Sequence, residues 1–199
     1  SNPNITGTGE VKRITLLPGS RKDEIKTHMP VLIEAMKILK ESINAEVFIS
    51  IAPGMESHFD EFKESISGFT LSEESSYRLI SESDLVLTKA GTSTMECTLL
   101  QVPYLIFYRT YPLNYFILKP IVKVDKLGIA NILLEKNAVK EFIQNDFTAG
   151  NLAAESLKIL TDDAYRTRML GDLRKIWDTL GSKDASSNAA SLIIERAGL

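Results

Sequence analysis

Two loops hold the residue types that can bind an anion. Lys89-Ala90-Gly91 follows the apolar run 84–88 and leads into Thr92-Ser93-Thr94-Met95-Glu96, the start of a helix that continues through Leu100. Gln101-Val102-Pro103 ends that helix, and 104–108 reads as the next strand. Small residues and hydroxyls therefore stand where a strand hands over to a helix, and the unpaired amides of a helix start favour negative charge. The same residues permit a purely local reading. Ser93-x-x-Glu96 is a capping box, in which serine and glutamate satisfy orphan backbone donors reciprocally. The second loop, Pro18-Gly19-Ser20-Arg21, ends a strand over 11–17. It opens a helical pattern over 22–41, with apolar residues at Ile25, Met29, Leu32, Ile33, Met36 and Leu39. Ser20 is the expected N-cap, with Asp23 and Glu24 favourable in the first turn. Pro30 predicts a kink in this helix, or a start near it. Arg21 is the odd member, a cation where the helix end already supplies positive potential. A site for a multiply charged anion such as a diphosphate asks for such a residue. The alternative is a solvated surface arginine.

The rest of the chain must position these loops. A strand is expected over 45–52, then a helix over 55–67 with Phe59, Phe62 and Ile66 on one face. A brief strand over 68–71 precedes a helix over 72–83, capped by Ser72 and turning Tyr77 and Ile80 inward. After the central unit, 127–135 is apolar with Asn131 in its middle, either a satisfied loop amide or a side chain aimed at a ligand. A short helix is predicted over 139–146 and another over 148–160, capped by Thr148. Helices over 162–180 and 186–197, separated at Gly181-Ser182, complete a helical C-terminal third. Strands alternating with helices mean βαβ crossovers. The expected class is α/β, a parallel sheet with helices on both faces. In such a sheet, ligands sit in the crevice beyond the carboxyl ends of the strands.

Composition narrows the function. A length of 199 residues suits one domain over 11–199, preceded by a polar, turn-rich linker or appended start at 1–10. The net charge of −3 gives no electrostatic argument for nucleic acid. Cys97 is the only cysteine and His28 and His58 the only histidines, so neither a disulfide framework nor zinc spacing is present. No metal or cofactor is expected, and a reducing, cytosolic compartment fits. Gly7-Thr8-Gly9 lacks the third glycine of a dinucleotide fingerprint and precedes its strand, and no GxxxxGK[ST] loop occurs. No stretch of about 18 uncharged apolar residues is present. The segment 109–124 mixes aromatics, two prolines, Arg109, Lys119 and Lys123. It reads either as an interfacial segment leaning on anionic lipid or as a buried crossover whose lysines snorkel.

Five stretches in order resemble one family: LLPGSRKDEI (16–25), KAGTSTMECTLLQVPYLIFYR (89–109), YPLNYFILKPIVKV (111–124), IANILLEK (129–136) and VKEFIQNDFTAGNLA (139–153). They resemble lipid-A-disaccharide synthase, a membrane-associated, inverting glycosyltransferase of the two-domain GT-B type. The Pro-Gly-Ser-Arg turn alone is shared with related UDP-sugar transferases; the combination is more specific. The resemblance covers the family's C-terminal, Rossmann-like, donor-binding half. It implies that an N-terminal domain with the acceptor site and the catalytic carboxylate is missing, so no catalytic residue is expected in this chain and it should be inactive alone. The whole enzyme would transfer 2,3-diacylglucosamine from UDP-2,3-diacylglucosamine to 2,3-diacylglucosamine 1-phosphate (lipid X), forming the β-1,6 lipid A disaccharide and releasing UDP. Localisation would be cytoplasmic and peripheral to the inner membrane.

By the same resemblance, Gly19, Ser20 and Arg21 would neutralise the diphosphate, and Gly91, Thr92, Ser93 and Thr94 would add phosphate contacts. Glu96 would accept from the ribose, Asn131 would hold sugar or phosphate, and Leu71 with its neighbours would edge the uracil. Glu141 and Gln144 would lie at the sugar end. The family's small-residue loop often reads Ser-Gly-Thr; here Lys89 stands beside it, as a phosphate contact or a solvated charge. Two other readings remain at this point. One is another UDP-sugar GT-B transferase or epimerase domain. The other is a non-catalytic nucleotide-sugar-binding or dimerisation module, in which the helical third with Trp177 and Leu180 serves as a homodimer arm.

Overall fold

Consecutive strand side chains point to opposite faces of a sheet, so an unbroken run of buried residues marks a strand covered on both sides. The computed structural model, which describes residues 10–110 and 126–180, has such runs. Leu85, Val86 and Leu87 are fully buried, as are Leu105, Ile106 and Phe107. They lie on β4 (Leu85–Lys89) and β5 (Tyr104–Tyr108). With β1 (Lys12–Leu17), β2 (Ala45–Ser50), β3 (Thr70–Ser72) and β6 (Glu141–Ile143) they form one sheet in the order β3-β2-β1-β4-β5-β6. All neighbouring pairs are parallel. The expected α/β, Rossmann-like class holds.

The helices are α1 (Lys22–Lys40), α2 (Ser76–Ser81), α3 (Ser93–Leu99), α4 (Ile129–Leu133), α5 (Ala149–Thr161) and α6 (Asp163–Leu180). Helix α5 returns after the last strand to pack along α1, while α3 touches α2, α4 and α6. The helical C-terminal third is present as α5 and α6. The stretch 186–197 and most of the aromatic, basic segment 109–124 lie outside the described residues, as do residues 1–9.

Several local expectations are corrected. Helix α1 does not start near Pro30: it begins at Lys22 and carries Pro30 inside it, exposed, while Met29, Leu32 and Ile33 beside it are buried. Burial of that apolar stripe outweighs the missing amide hydrogen bond. The predicted helix over 55–67 is a 3₁₀ turn at Glu56–Phe62 followed by further turns, which still buries Phe59 and Ile66. Ser72 belongs to β3 and is not a cap. Ser75 is, accepting the Arg78 amide at 3.4 Å, and Tyr77 is 62% exposed while Ile80 is buried as expected. The predicted helix over 139–146 is β6 and a 3₁₀ turn, Gln144–Asp146. Three residues of strand leave too short a pattern to read, and the ladder along β5 decides the matter. Thr148 caps α5 as expected, accepting the Asn151 amide at 3.3 Å.

Candidate functional site

The strand order reverses direction between β1 and β4, because the chain leaves β1 towards β2 and leaves β4 towards β5. Such a switch point opens a crevice beyond the carboxyl ends of the two strands. Leu17 of β1 pairs with Thr88 of β4, so both strands end level and their loops lie side by side. A cleft of about 490 Å³ occupies that place. One wall is Leu17 to Ser20 and another is Thr88, Lys89 and Gly91 to Ser93. Ser50 to Pro53, after β2, and Glu73 to Ser76, after β3, complete it.

The first loop turns sharply at Gly19, whose φ of +123° is a conformation other residues resist. Ser20 is not the N-cap of α1. That position falls to Arg21, whose side chain makes no capping bond. Instead Glu24 reaches back from the first turn, and its Oε2 accepts the Ser20 amide at 3.1 Å. Glu24 Oε1 also accepts from Lys89 Nζ at 2.9 Å. Lys89 is therefore neither unpaired nor simply solvated; it ties the two loops together. Burial works against the charge on Glu24, but Lys89 and the Ser20 amide outweigh it and hold the carboxyl below its ordinary pKa. Arg21 is exposed and forms no ion pair among the described residues.

In the second loop the capping box does not form. Thr92 takes the N-cap place without a side-chain bond, and Ser93 is already helical. Gly91 and Thr92 are exposed at the cleft. Thr94 turns away from it: the side chain is 2% exposed and its hydroxyl donates to the Gly91 carbonyl at 2.8 Å. Glu96 stands behind the cleft and accepts from Ser76 Oγ at 2.8 Å, joining α3 to the start of α2. Its carboxylate orients a hydroxyl that lines the cleft, in place of the reciprocal cap.

The other expected residues do not line this cleft. Leu71 is exposed on β3 and edges a smaller hollow of about 230 Å³ with Phe59, Ile66 and Phe69. Its neighbours Glu73 to Ser76 are the ones that reach the cleft. Asn131 is fully buried. Its Nδ2 donates to the Val139 carbonyl at 2.7 Å and to Glu141 Oε1 at 2.6 Å, and its Oδ1 accepts the Val139 amide at 2.9 Å. It is a satisfied amide, as one of the two readings expects, but it sits within helix α4 and not in a loop. Glu141 accepts, besides Asn131, the amides of Leu127 at 2.8 Å and Gly128 at 3.0 Å. Gln144 lies at the carboxyl end of β6 with φ +52°, accepts the Thr110 amide at 3.3 Å, and has its Nε2 buried without a partner.

Sequence reasoning missed two contributions. The end of β2, Ser50 to Pro53, forms one side of the cleft, and only the strand order could have shown it. The other is His28, which in the sequence is only one of two histidines too few for a zinc site. It is buried between Phe107 and Phe147, with Nδ1 2.7 Å from the Pro18 carbonyl and Nε2 3.2 Å from the Arg109 carbonyl. Burial lowers its pKa despite those two acceptors. The ring fixes the base of the first loop against the end of β5. Cys97 is buried and burial pushes its thiol far up, so no nucleophile is available there. Among the described residues, no group of three or more His, Cys, Asp or Glu side chains could hold a metal ion. Nor is any described helix long and apolar enough to cross a membrane.

A parallel 3-2-1-4-5-6 sheet with a polar, glycine-bearing cleft at its switch point defines a Rossmann-like domain. Solved structures of that architecture include the UDP-GlcNAc 2-epimerase of Neisseria meningitidis bound to UDP-GlcNAc, with TM-score 0.54 and 14% identity over 87% of this chain and 45% of that one. A spinosyn rhamnosyltransferase gives 0.58 and 13%, over 86% and 43%. At these identities the likeness is one of fold, that of GT-B glycosyltransferases and related epimerases. The family is decided by sequence: the model for lipid-A-disaccharide synthetase matches residues 6–194, and the chain belongs to that family. The lipid-A-disaccharide synthase of Persephonella marina is 32% identical over 90% of this chain, and that of Geobacter sulfurreducens 31% over 93%. The chain spans about half the length of these curated relatives, 49% in each case.

Proposed function

We propose that this chain is the donor-binding domain of a lipid-A-disaccharide synthase and holds the nucleoside diphosphate of UDP-2,3-diacylglucosamine in the cleft between β1 and β4. The observation that carries the reading is the pairing of two anion-seeking loops at the switch point. Ser20 and Lys89 from one strand end each, with Gly91, Thr92 and Ser93, face one cavity. Arg21 is exposed and does not itself line the cleft; it follows the lining residue Ser20 in sequence and could reach a bound phosphate. Ser76, oriented by Glu96, and the carboxylates of Glu73 and Glu74 suit ribose hydroxyls, which need acceptors as well as donors.

The chemistry follows from where charge grows. When the sugar leaves its nucleotide, negative charge develops on the diphosphate. Preorganised donors there lower the barrier. Arg21, Lys89 and the loop amides can do this with side chains and backbone alone. The acceptor, lipid X in this reading, and the catalytic carboxylate would belong to the half of the relatives' length that this match does not span. The isolated chain then binds donor without turning it over. Attachment to the cytoplasmic face of the inner membrane belongs to the same proposal.

The test is UDP titration by calorimetry, on this chain and on Arg21→Ala. Loss of one charge-assisted contact costs about 1.5–3 kcal/mol, roughly ten- to a hundredfold in affinity. Equal affinity in both proteins would remove Arg21 from the site, and no UDP binding in either would sink the donor reading for the isolated chain.

A further inference from the structure

Two of the donors proposed for the diphosphate already hold an anion, and it is the protein's own. Glu24 Oε2 sits on the Ser20 amide at 3.1 Å while Oε1 sits on Lys89 Nζ at 2.9 Å. Ser20 and Lys89 are cleft residues, one from each strand end. The approach is close. A Cβ built on Gly19 would run into Glu24 Oε2 and lie 2.8 Å from Glu24 Cβ, so the loop has no side chain exactly where the carboxylate folds back. The ion pair is partly shielded, with side-chain exposures of 23% for Lys89 and 17% for Glu24. Such a pair is strong enough to be occupied and weak enough to exchange.

We propose that Glu24 is a resident competitor for the diphosphate: it neutralises Lys89 and occupies the Ser20 amide until a phosphoanhydride enters and displaces it. This rests on the donor-site reading above. It also gives that site a charge threshold. A single carboxylate already satisfies both donors, so a singly charged anion gains nothing by replacing it. A diphosphate carries more charge and more acceptor oxygens than Glu24, engages Arg21 as well, and wins. Lys89 then becomes a phosphate contact only in the bound state. Without Glu24 the cleft would accept small anions indiscriminately.

The inference is tested by titrating UDP and inorganic pyrophosphate into the chain and into Glu24→Gln, Lys89→Met and the double variant. Glutamine keeps an acceptor for the Ser20 amide and the volume of the side chain, so the loop keeps its shape. Glu24→Gln should bind both ligands about three- to tenfold more tightly, the scale of removing one partly screened competitor. Lys89→Met should abolish that gain. Pyrophosphate binding that is unchanged, weaker or absent in Glu24→Gln would overturn the inference and make Glu24 a group that positions the loop. The donor reading fails separately, if neither protein prefers UDP to pyrophosphate.

Discussion

Glu24 and Glu141 are both partly buried carboxylates that accept backbone amides, on opposite sides of β4 and β5. Glu24 has one amide and one lysine as partners, both from residues that line an open cleft. Glu141 has two amides and the Asn131 side chain, with no ion pair among the described residues. Around Glu24, polar groups are exposed or exchangeable. The hydrogen bonds that Glu141 and Asn131 make are all to the chain itself. Identical residue types thus stand beside an open cleft at the β1/β4 edge and brace the chain beside β6. The difference is set by what the neighbouring backbone lacks. The connection into α4 and β6 has no ladder of its own, and its amides must be paired by side chains.

The largest expected effect lies on the construction side. Asn131→Leu removes three hydrogen bonds and leaves the Val139 amide and carbonyl buried without those partners. Each stranded group costs about 1–3 kcal/mol, so a loss of about 3 kcal/mol or more is expected in urea unfolding. UDP affinity of the folded fraction should stay within about twofold, within the scatter of distant independent sites. A loss of affinity without a loss of stability would make Asn131 a ligand residue and break the comparison. Glu141→Gln should cost less, about 1.5–3 kcal/mol by the same unfolding measurement. Glutamine keeps one acceptor oxygen, so its NH2 group faces one of the two backbone amides and strands that donor while the other stays paired.

That contrast explains which parts were legible in sequence. The sheet was, because 11–17, 45–52, 84–88 and 104–108 are apolar runs of strand length separated by helical patterns. The two loops were, because Gly19, Ser20 and Gly91 to Ser93 combine small residues with hydroxyls at strand ends. Asn131 was not, since one amide in an apolar stretch has the same appearance whether it meets a ligand or a backbone. Burial decides that, and burial depends on β6, whose three residues fall below any periodic signal. Ser93 and Glu96 match a capping box at the right spacing, yet Glu96 finds a better-placed partner in Ser76, twenty residues away in sequence. Local motifs state what is available, and tertiary neighbours select among the options.

The smallest expected effect concerns Glu24 and is read by pH. Glu24 titrates below its ordinary value of 4.5, because Lys89 and the Ser20 amide together overcome the cost of burial. A lowered folded pKa binds fewer protons than the unfolded chain in that range. Its stabilisation is therefore complete above the ordinary value and is lost as pH falls through the lowered one. The pair is solvent-screened, so the term is about 0.5 kcal/mol. Acid unfolding monitored by circular dichroism should show a slightly shallower slope below pH 4.5 in Glu24→Gln than in the unaltered chain. High salt should erase the difference, since screening removes a partly exposed ion pair first. A slope that persists in high salt would mean the carboxylate is held chiefly by the Ser20 amide. Glu24 would then resemble Glu141, a builder of its loop, and the two edges of the sheet would differ only in exposure.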